Sequence, residues 1–238
     1  MAVLRGELGE AARRIVARYP EGRERSAILP LLYLVQAVEG RVTREGLREV
    51  GAFLGITTAE VEAVATFYTM LRLRPTGRHV VSVCTNLACA LRGAREVYEA
   101  AHRAFGMRRG QEVSDDGLVT VHEEECLGAC DAAPVVQIDF VNHDRVTPER
   151  MGELAEALRR GEVPAPSRGE APRDFRHASW LLAGLEGEPP EALVAGGSSV
   201  GSTARSTAGR GSSPAGTGPA PRTDPAAPAD PRAEEEAG

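Results

Sequence analysis

A chain of 238 residues with 42% apolar side chains can bury at least one full core. Its net charge of −6 offers nucleic acid no basic footprint and an anionic membrane surface no polybasic patch. Its longest apolar stretch, Ala27 to Val38, contains Pro30 and Gln36 and falls far short of the roughly 20 residues that cross a bilayer, and Glu7 and Glu10 sit where a transit peptide is acid-poor, so neither a membrane span nor export is expected.

In chain order, the first part reads as short helices. Ser26 is expected to cap a segment, Ala27 to Val38, that is apolar almost all round and therefore the buried centre of a small bundle, with Pro30 tolerated in its first turn. Thr43 is expected to cap the next helix, with Leu47, Val50, Gly51 and Leu54 on one face and Gly55 as its stop. Thr57 and Glu60 have capping-box spacing and open a third helix whose stripe is Val61, Val64, Ala65, Tyr68 and Leu71. Pro75 and Gly77 close this region.

Beyond Gly77 the period changes. His79 to Val83 is a β-branched run leading into Cys84, followed by a helical stretch that aligns Leu91, Ala94, Tyr98, Ala101 and Phe105. Leu118 to Val121 and Val135 to Asp139 read as strands, and Asn142 to Asp144 as a turn. Thr147, with Pro148 at the first helical position, caps a last helix whose Met151, Leu154, Ala155 and Leu158 face inward before Gly161. The order β–α–β–β–α matches a mixed sheet with helices packed on it, as in thioredoxin-like folds. After Pro164 and Pro166, Asp174 to Leu185 is expected to form a brief helix laid on a hydrophobic groove of this chain or of a partner, with Trp180 as its anchor. From Gly196 onward Gly, Ser, Ala, Pro and Thr dominate, and such a composition is expected to stay disordered. The expected organisation is thus a helical subdomain over 1–77, an α+β domain over 78–163, a linker with a short apolar docking segment over 164–195, and a disordered tail over 196–238.

The four cysteines carry the chemistry. Cys84 and Cys89 are separated by four residues and Cys126 and Cys130 by three, each pair following a different predicted strand. All four are expected on loops, which can project two ligand pairs toward one point. Spacing alone leaves a zinc site and an iron–sulfur cluster both open, the four-residue gap fitting the wider cluster better. A Rieske centre needs two histidine ligands, and none of His79, His102, His122, His143 or His177 makes a Cys-x-His unit, so these are expected to be surface or packing residues. Neither pair has the Cys-x-x-Cys spacing of a thioredoxin dithiol. Gly128 between two ligands is expected at positive φ, and Pro134 is a candidate cis proline that fixes the loop carrying Cys126 and Cys130. Glu123, Glu124 and Glu125 read as a solvated acidic run that makes reduction harder if it lies near the centre. No dinucleotide fingerprint, Ser/His/Asp set or paired carboxylates stand out, so no catalytic residue is assigned.

The stretches Val83-Cys84-Thr85-Asn86-Leu87-Ala88-Cys89 and Glu125-Cys126-Leu127-Gly128-Ala129-Cys130-Asp131-Ala132-Ala133-Pro134 resemble the two ligand segments of the small iron–sulfur subunit, the E subunit, of bacterial NADH:quinone oxidoreductase (complex I). Arg25 to Leu32 and Ala65 to Met70 are similar to that family's helical region, so the resemblance runs from Ala11 to Gly161. It implies a thioredoxin-like [2Fe–2S] ferredoxin domain after a short helical bundle, with Cys84, Cys89, Cys126 and Cys130 holding one [2Fe–2S] cluster per chain. The implied role is one-electron transfer beside a separate flavoprotein subunit that carries FMN and binds NADH, among other peripheral-arm subunits, at the cytoplasmic face of the inner membrane. The same module serves in NAD-linked hydrogenase and formate dehydrogenase, which stands as the alternative, and a zinc-stabilised scaffold is the alternative of a different class. The helices from Ala11 to Leu71 are expected to dock on the flavoprotein, since their all-round apolar member needs cover.

Overall fold

A computed structural model describes residues 3–108, 110–187 and 189–190; the expected tail over 196–238 lies outside them. The chain opens with α1 (Gly6–Val16), which is absent from the sequence-based expectation although Leu8, Ala11, Ala12 and Ile15 follow helical spacing and are buried. A 3₁₀ turn, Glu24–Ala27, then runs into α2 (Ile28–Glu39). Ser26 therefore caps nothing: the helix is entered from Ala27, already in helical conformation and without a side-chain cap. The N-cap expectations hold at α3 (Arg44–Leu54), where Gly46 N–H donates to Thr43 Oγ1 at 3.0 Å, and at α4 (Thr58–Phe67), where Thr57 and Glu60 close a capping box. That helix ends earlier than its stripe suggests. Tyr68 is extended and partly exposed, and Leu71 is buried from the following segment.

Helix α2 is the centre of the helical core. Leu31, Leu32, Leu34 and Val35 are wholly buried, each such side chain contributing about 1.5–3 kcal/mol relative to exposure. Its neighbours are α1, α3, α4 and a C-terminal helix, α8 (Phe175–Leu182), all from the same chain. Gly46 lets α3 approach, because a Cβ there would lie 2.4 Å from Val35 Cγ1. Gln36, fully buried, ties three segments together: Nε2 donates to Met70 O and to Ser179 Oγ, both at 3.1 Å, and Oε1 accepts from Arg72 N–H at 2.7 Å.

The sheet has the order β2-β1-β3-β4, built from β1 (His79–Cys84), β2 (Val119–Glu124), β3 (Val136–Ile138) and β4 (Val141–His143). Strands β1 and β2 are parallel and the other pairings antiparallel. Between β1 and β2 run a single turn, α5 (Leu87–Ala90), and the crossover α6 (Ala94–Ala104). Helix α6 packs beside α7 (Pro148–Arg159), whose Thr147 cap, Pro148 and four inward side chains are as expected. Leu91 is not part of the α6 stripe; it is 79% exposed. The hairpin turn also sits elsewhere than expected. Asn142 and His143 belong to β4, and the chain reverses at Asp139 and Phe140, with φ of 52° and 71°. Asp139 is held there by His79 Nδ1 at 2.6 Å and Val80 N–H at 2.8 Å, an Asx-type anchor that offsets the cost of left-handed backbone.

Val81, Val83, Val119 and Val121 face the α6/α7 core. The alternate residues of β1 and β2 face the other way, where the segment from Arg72 to Gly77 crosses the sheet and Gly77 N–H donates to Thr120 Oγ1 at 2.7 Å. A Cβ at Gly77 would meet Val119 backbone at 2.5 Å, so only glycine permits this approach. Among the described residues no helix is long and apolar enough to cross a membrane.

Candidate functional site

The four thiols come from four different local structures, so the expectation that all lie on loops is corrected. Cys84 is the last residue of β1, Cys89 lies within α5, Cys126 is in the irregular segment after β2, and Cys130 opens a 3₁₀ turn, Cys130–Ala132. Asn86 starts α5 by accepting Leu87 N–H at 2.7 Å, which swings Cys89 back toward the strand end. Cys84 N–H donates to Val135 O at 3.1 Å and Thr85 N–H to Glu124 O at 3.0 Å. Beyond them, Arg145 N–H donates to Ala132 O and Val146 N–H to Pro134 O at 2.8 and 2.9 Å, anchoring the second thiol segment to the chain before α7. Gly128 has φ 71° and the Ala133–Pro134 bond is cis, both as anticipated.

The thiols are gathered as pairs. Cys126 Sγ and Cys130 Sγ are 3.9 Å apart, close to the separation of about 3.8 Å of two thiolates on one tetrahedral metal bound at about 2.3 Å. Cys84 lies close enough to Cys89 and to Cys130 to act on both electrostatically, and its own Sγ donates to Glu125 O at 3.5 Å. Among the described residues no three His, Cys, Asp or Glu side chains converge on a single ion position. Two chelating pairs side by side fit a binuclear centre, with two thiolates for each iron. The lining is made of small residues, Ala94, Ala129, Ala132, Ala133 and Val135 with Cys84 and Cys89 themselves, which leaves room at the sulfurs.

The electrostatics follow from this crowding. Burial pushes the Cys89 thiol up to about 11, the hydrogen bond with Cys84 adds to it, and a backbone hydrogen bond from Val135 works the other way. The Cys130 thiol is also raised, chiefly by its hydrogen bond with Cys126. Raised in this way, the Cys89 and Cys130 thiols hold their protons more tightly than free cysteine, whereas a coordinated cation inverts the balance and deprotonates its thiol ligands.

Around the pairs the structure gathers Arg72 and Ser82, which sequence reasoning does not single out, and His122, which it expects only as a surface or packing residue. Arg72 Nη2 lies 2.6 Å from His122 Nε2 and 3.4 Å from Glu124 Oε1, while Ser82 Oγ is 3.0 Å from the same His122 nitrogen. Glu124 is thus an ion-paired, largely buried group and not a member of a solvated run; Glu123 and Glu125 are exposed. The hydrogen bond from His122 and the Arg72 charge hold its carboxyl below the ordinary range. Ser82 and His122 are legible as partners of Cys84 and Glu124 by strand alternation, but Arg72 reaches them only through the tertiary crossing. Of the other histidines, His79 is paired with Asp139, His143 is buried in β4, and His102 is bracketed by Tyr98 O and Gln111 O, each at 3.2 Å.

Comparison with known proteins gives the family of the chain. The family model of the thioredoxin-like [2Fe-2S] ferredoxin matches residues 12–159. The E subunit of NADH-quinone oxidoreductase of Mycobacterium tuberculosis is 44% identical over 180 residues, covering 76% of this chain and 70% of the relative. NADH-quinone oxidoreductase subunit 2 of Thermus thermophilus is 40% identical over 147 residues, covering 61% of this chain and 81% of the relative. Among solved structures, an NAD+-reducing [NiFe]-hydrogenase aligns with a TM-score of 0.49 at 21% identity, over 57% of this chain and 23% of that one. By its thiol segments, its sheet and its curated relatives, the chain belongs to the thioredoxin-like [2Fe–2S] ferredoxin family and, within it, to the E-subunit family of NADH-quinone oxidoreductase.

Proposed function

We propose that this chain carries single electrons through one [2Fe–2S] cluster held by Cys84, Cys89, Cys126 and Cys130, as the subunit of an NADH-quinone oxidoreductase that sits beside the FMN- and NADH-binding flavoprotein. The observation that carries the reading is the pairing of thiols, with Cys126 and Cys130 at 3.9 Å, on a fold whose family is defined by such a cluster. When bound, the cluster supplies reversible one-electron chemistry at low potential, since two ferric ions, two sulfides and four thiolates already carry a net negative charge.

The chain's own part is to fix the two pairs, keep small apolar residues about them, and meet a redox partner. Its sequence carries no phosphate-cradling Gly-x-Gly-x-x-Gly after a strand, so hydride removal from NADH belongs to the flavoprotein. The kinship with the E-subunit family supports a position in the peripheral arm, at the cytoplasmic face of the inner membrane. Leu87 and Leu91, on and just after α5, are 70% and 79% exposed beside the buried Cys89, while Cys126 and Cys130 are the exposed thiols, and this apolar surface is offered to an electron partner.

Purified chain is expected to contain about two irons and two acid-labile sulfides, and changing any one of Cys84, Cys89, Cys126 or Cys130 to Ala is expected to remove most of both, because a four-thiolate binuclear centre has no spare ligand. Stoichiometric zinc without iron in anaerobically prepared protein overturns the reading in favour of a zinc-stabilised scaffold.

A further inference from the structure

The sheet face turned away from α6 and α7 carries Ser82 and Cys84 of β1 and His122 and Glu124 of β2. Parallel register sets Ser82 beside His122 and Cys84 beside Glu124, on strands about 4.8 Å apart whose side chains alternate between faces. Into this face comes a cation from outside the sheet. Arg72 enters from the segment after α4, fixed through its backbone N–H on Gln36 Oε1 at 2.7 Å. Its guanidinium sits between His122 Nε2 at 2.6 Å and Glu124 Oε1 at 3.4 Å. Arg72 and Glu124 side chains are each only 19% exposed, so solvent screens this pair far less than a surface ion pair. His122 Nε2 lies 2.6 Å from Arg72 Nη2 and 3.0 Å from both Ser82 Oγ and Glu124 Oε1, so that one nitrogen either accepts from Arg72 or donates to Glu124 but not both, and His122 Nδ1 and Arg72 Nε are buried without partners among the described residues. A polar cluster left this incompletely satisfied is costly for a purely structural purpose.

We propose that Arg72 is a positioning residue for the iron–sulfur centre whose fixed positive charge, set against the Glu124 carboxylate on the sheet face of Cys84, raises the centre's reduction potential. This rests on the ligation proposed above. Adding an electron to a thiolate-bound centre adds a negative charge. The Glu124 carboxylate, one strand away from Cys84, opposes that electron, and the Arg72 guanidinium offsets the opposition. Unit charges within about 10 Å at an effective dielectric of about 20 alter a one-electron equilibrium by about tenfold. The position matters as well as the charge: Glu124 O accepts Thr85 N–H, so holding Glu124 holds the strand ends from which both thiol segments depart.

The test is a redox titration of the full-length holoprotein followed by the paramagnetic signal of the reduced cluster. Iron, sulfide and signal in the unaltered chain report on the cluster itself, and the ratio of reduced to oxidised cluster at fixed poise, taken from the signal as a fraction of that at full reduction, reports on Arg72. Arg72→Gln is expected to keep its iron and to show an about tenfold lower ratio, about 59 mV for a one-electron couple. Arg72→Lys is expected to restore most of the loss, and Glu124→Gln to move the ratio upward. A fully loaded Arg72→Gln with an unchanged ratio, or an Arg72→Lys no better than Arg72→Gln, overturns the proposal. Should Arg72→Gln lose its iron, Glu124→Gln decides: a raised ratio supports the opposing-charge arrangement, and an unchanged or lowered one overturns it.

Discussion

His143 shows at the scale of one residue how burial becomes pH dependence. It lies 4% exposed in β4, with Nε2 lacking a partner among the described residues. Burial, reinforced by the Arg150 charge, lowers its pKa to about 4 from 6.5. Below pH 6.5 the unfolded chain takes up a proton that the folded chain refuses until about pH 4, so stability is fully present above the unfolded value and falls across that window. The loss saturates on the order of 2–3 kcal/mol. Urea unfolding of the native chain and of His143→Leu at about pH 7.5 and about pH 4.5 checks it: the gap is expected to shift in favour of the variant by about 2 kcal/mol at the lower pH. A gap independent of pH means that His143 takes up its proton in the folded protein at the same pH as in the unfolded chain.

Among the elements, α8 decides how complete the helical core is. Asp174 caps it by accepting His177 N–H at 2.9 Å, and Trp180 of the helix, with Ala183 and Leu185 just beyond its end, joins the same cluster as α1 and α2. Ser179 meets Gln36, and Arg176 donates to Val38 O at 3.0 Å. Trp180→Ala is expected to cost about 3–5 kcal/mol at most, as large-to-small core changes do, and to loosen α8 before anything else. Limited tryptic digestion should then cut at Arg173 or Arg176 several-fold faster than in the native chain, with the iron retained. The helix itself is legible from its apolar residues, whereas its seat on α2 is not, since contact with a helix about 140 positions earlier has no local signature. The same division recurs along the chain. The caps at Thr43, Thr57 and Thr147 are local chemistry and agree with the sequence-based expectation. The turn at Asp139 and Phe140 does not, because its φ values are secured by His79, about sixty positions away, while Asn142 and Asp144 merely have turn-like composition. The ligand pairs are legible because spacing encodes them, and Arg72 is not, because only the crossing over the sheet brings it there.

For the molecule as a whole, the expectation that α2 needs a partner's cover loses its basis. Helices α1, α3, α4 and α8 enclose it within the chain, and its buried leucines ask for nothing more. Among the described residues, exposed large apolar side chains include Phe67, Tyr68 and Leu73 around the entry to the sheet, Leu87 and Leu91 beside Cys89, Val163 after α7, and Leu181 and Leu182 on the outer side of α8. Tunnelling partners have to come close to the thiols, and an approach over α5 is the one that combines proximity to Cys89 with apolar surface awaiting burial. Two leucines moved from water into an interface contribute about 1.5–3 kcal/mol each when fully buried, and about 1.4 kcal/mol is tenfold in affinity. The double change Leu87→Asp and Leu91→Asp is therefore expected to weaken association with the flavoprotein proposed above as its partner by at least tenfold, while iron and sulfide content stay at the native level because neither side chain is a proposed ligand. Co-purification of the two proteins, quantified against iron content, measures both quantities at once. Undiminished association with a full complement of iron would move the contact to the surface formed by Phe67, Tyr68 and Leu73, and the corresponding change at Phe67 would then be the one to separate the two.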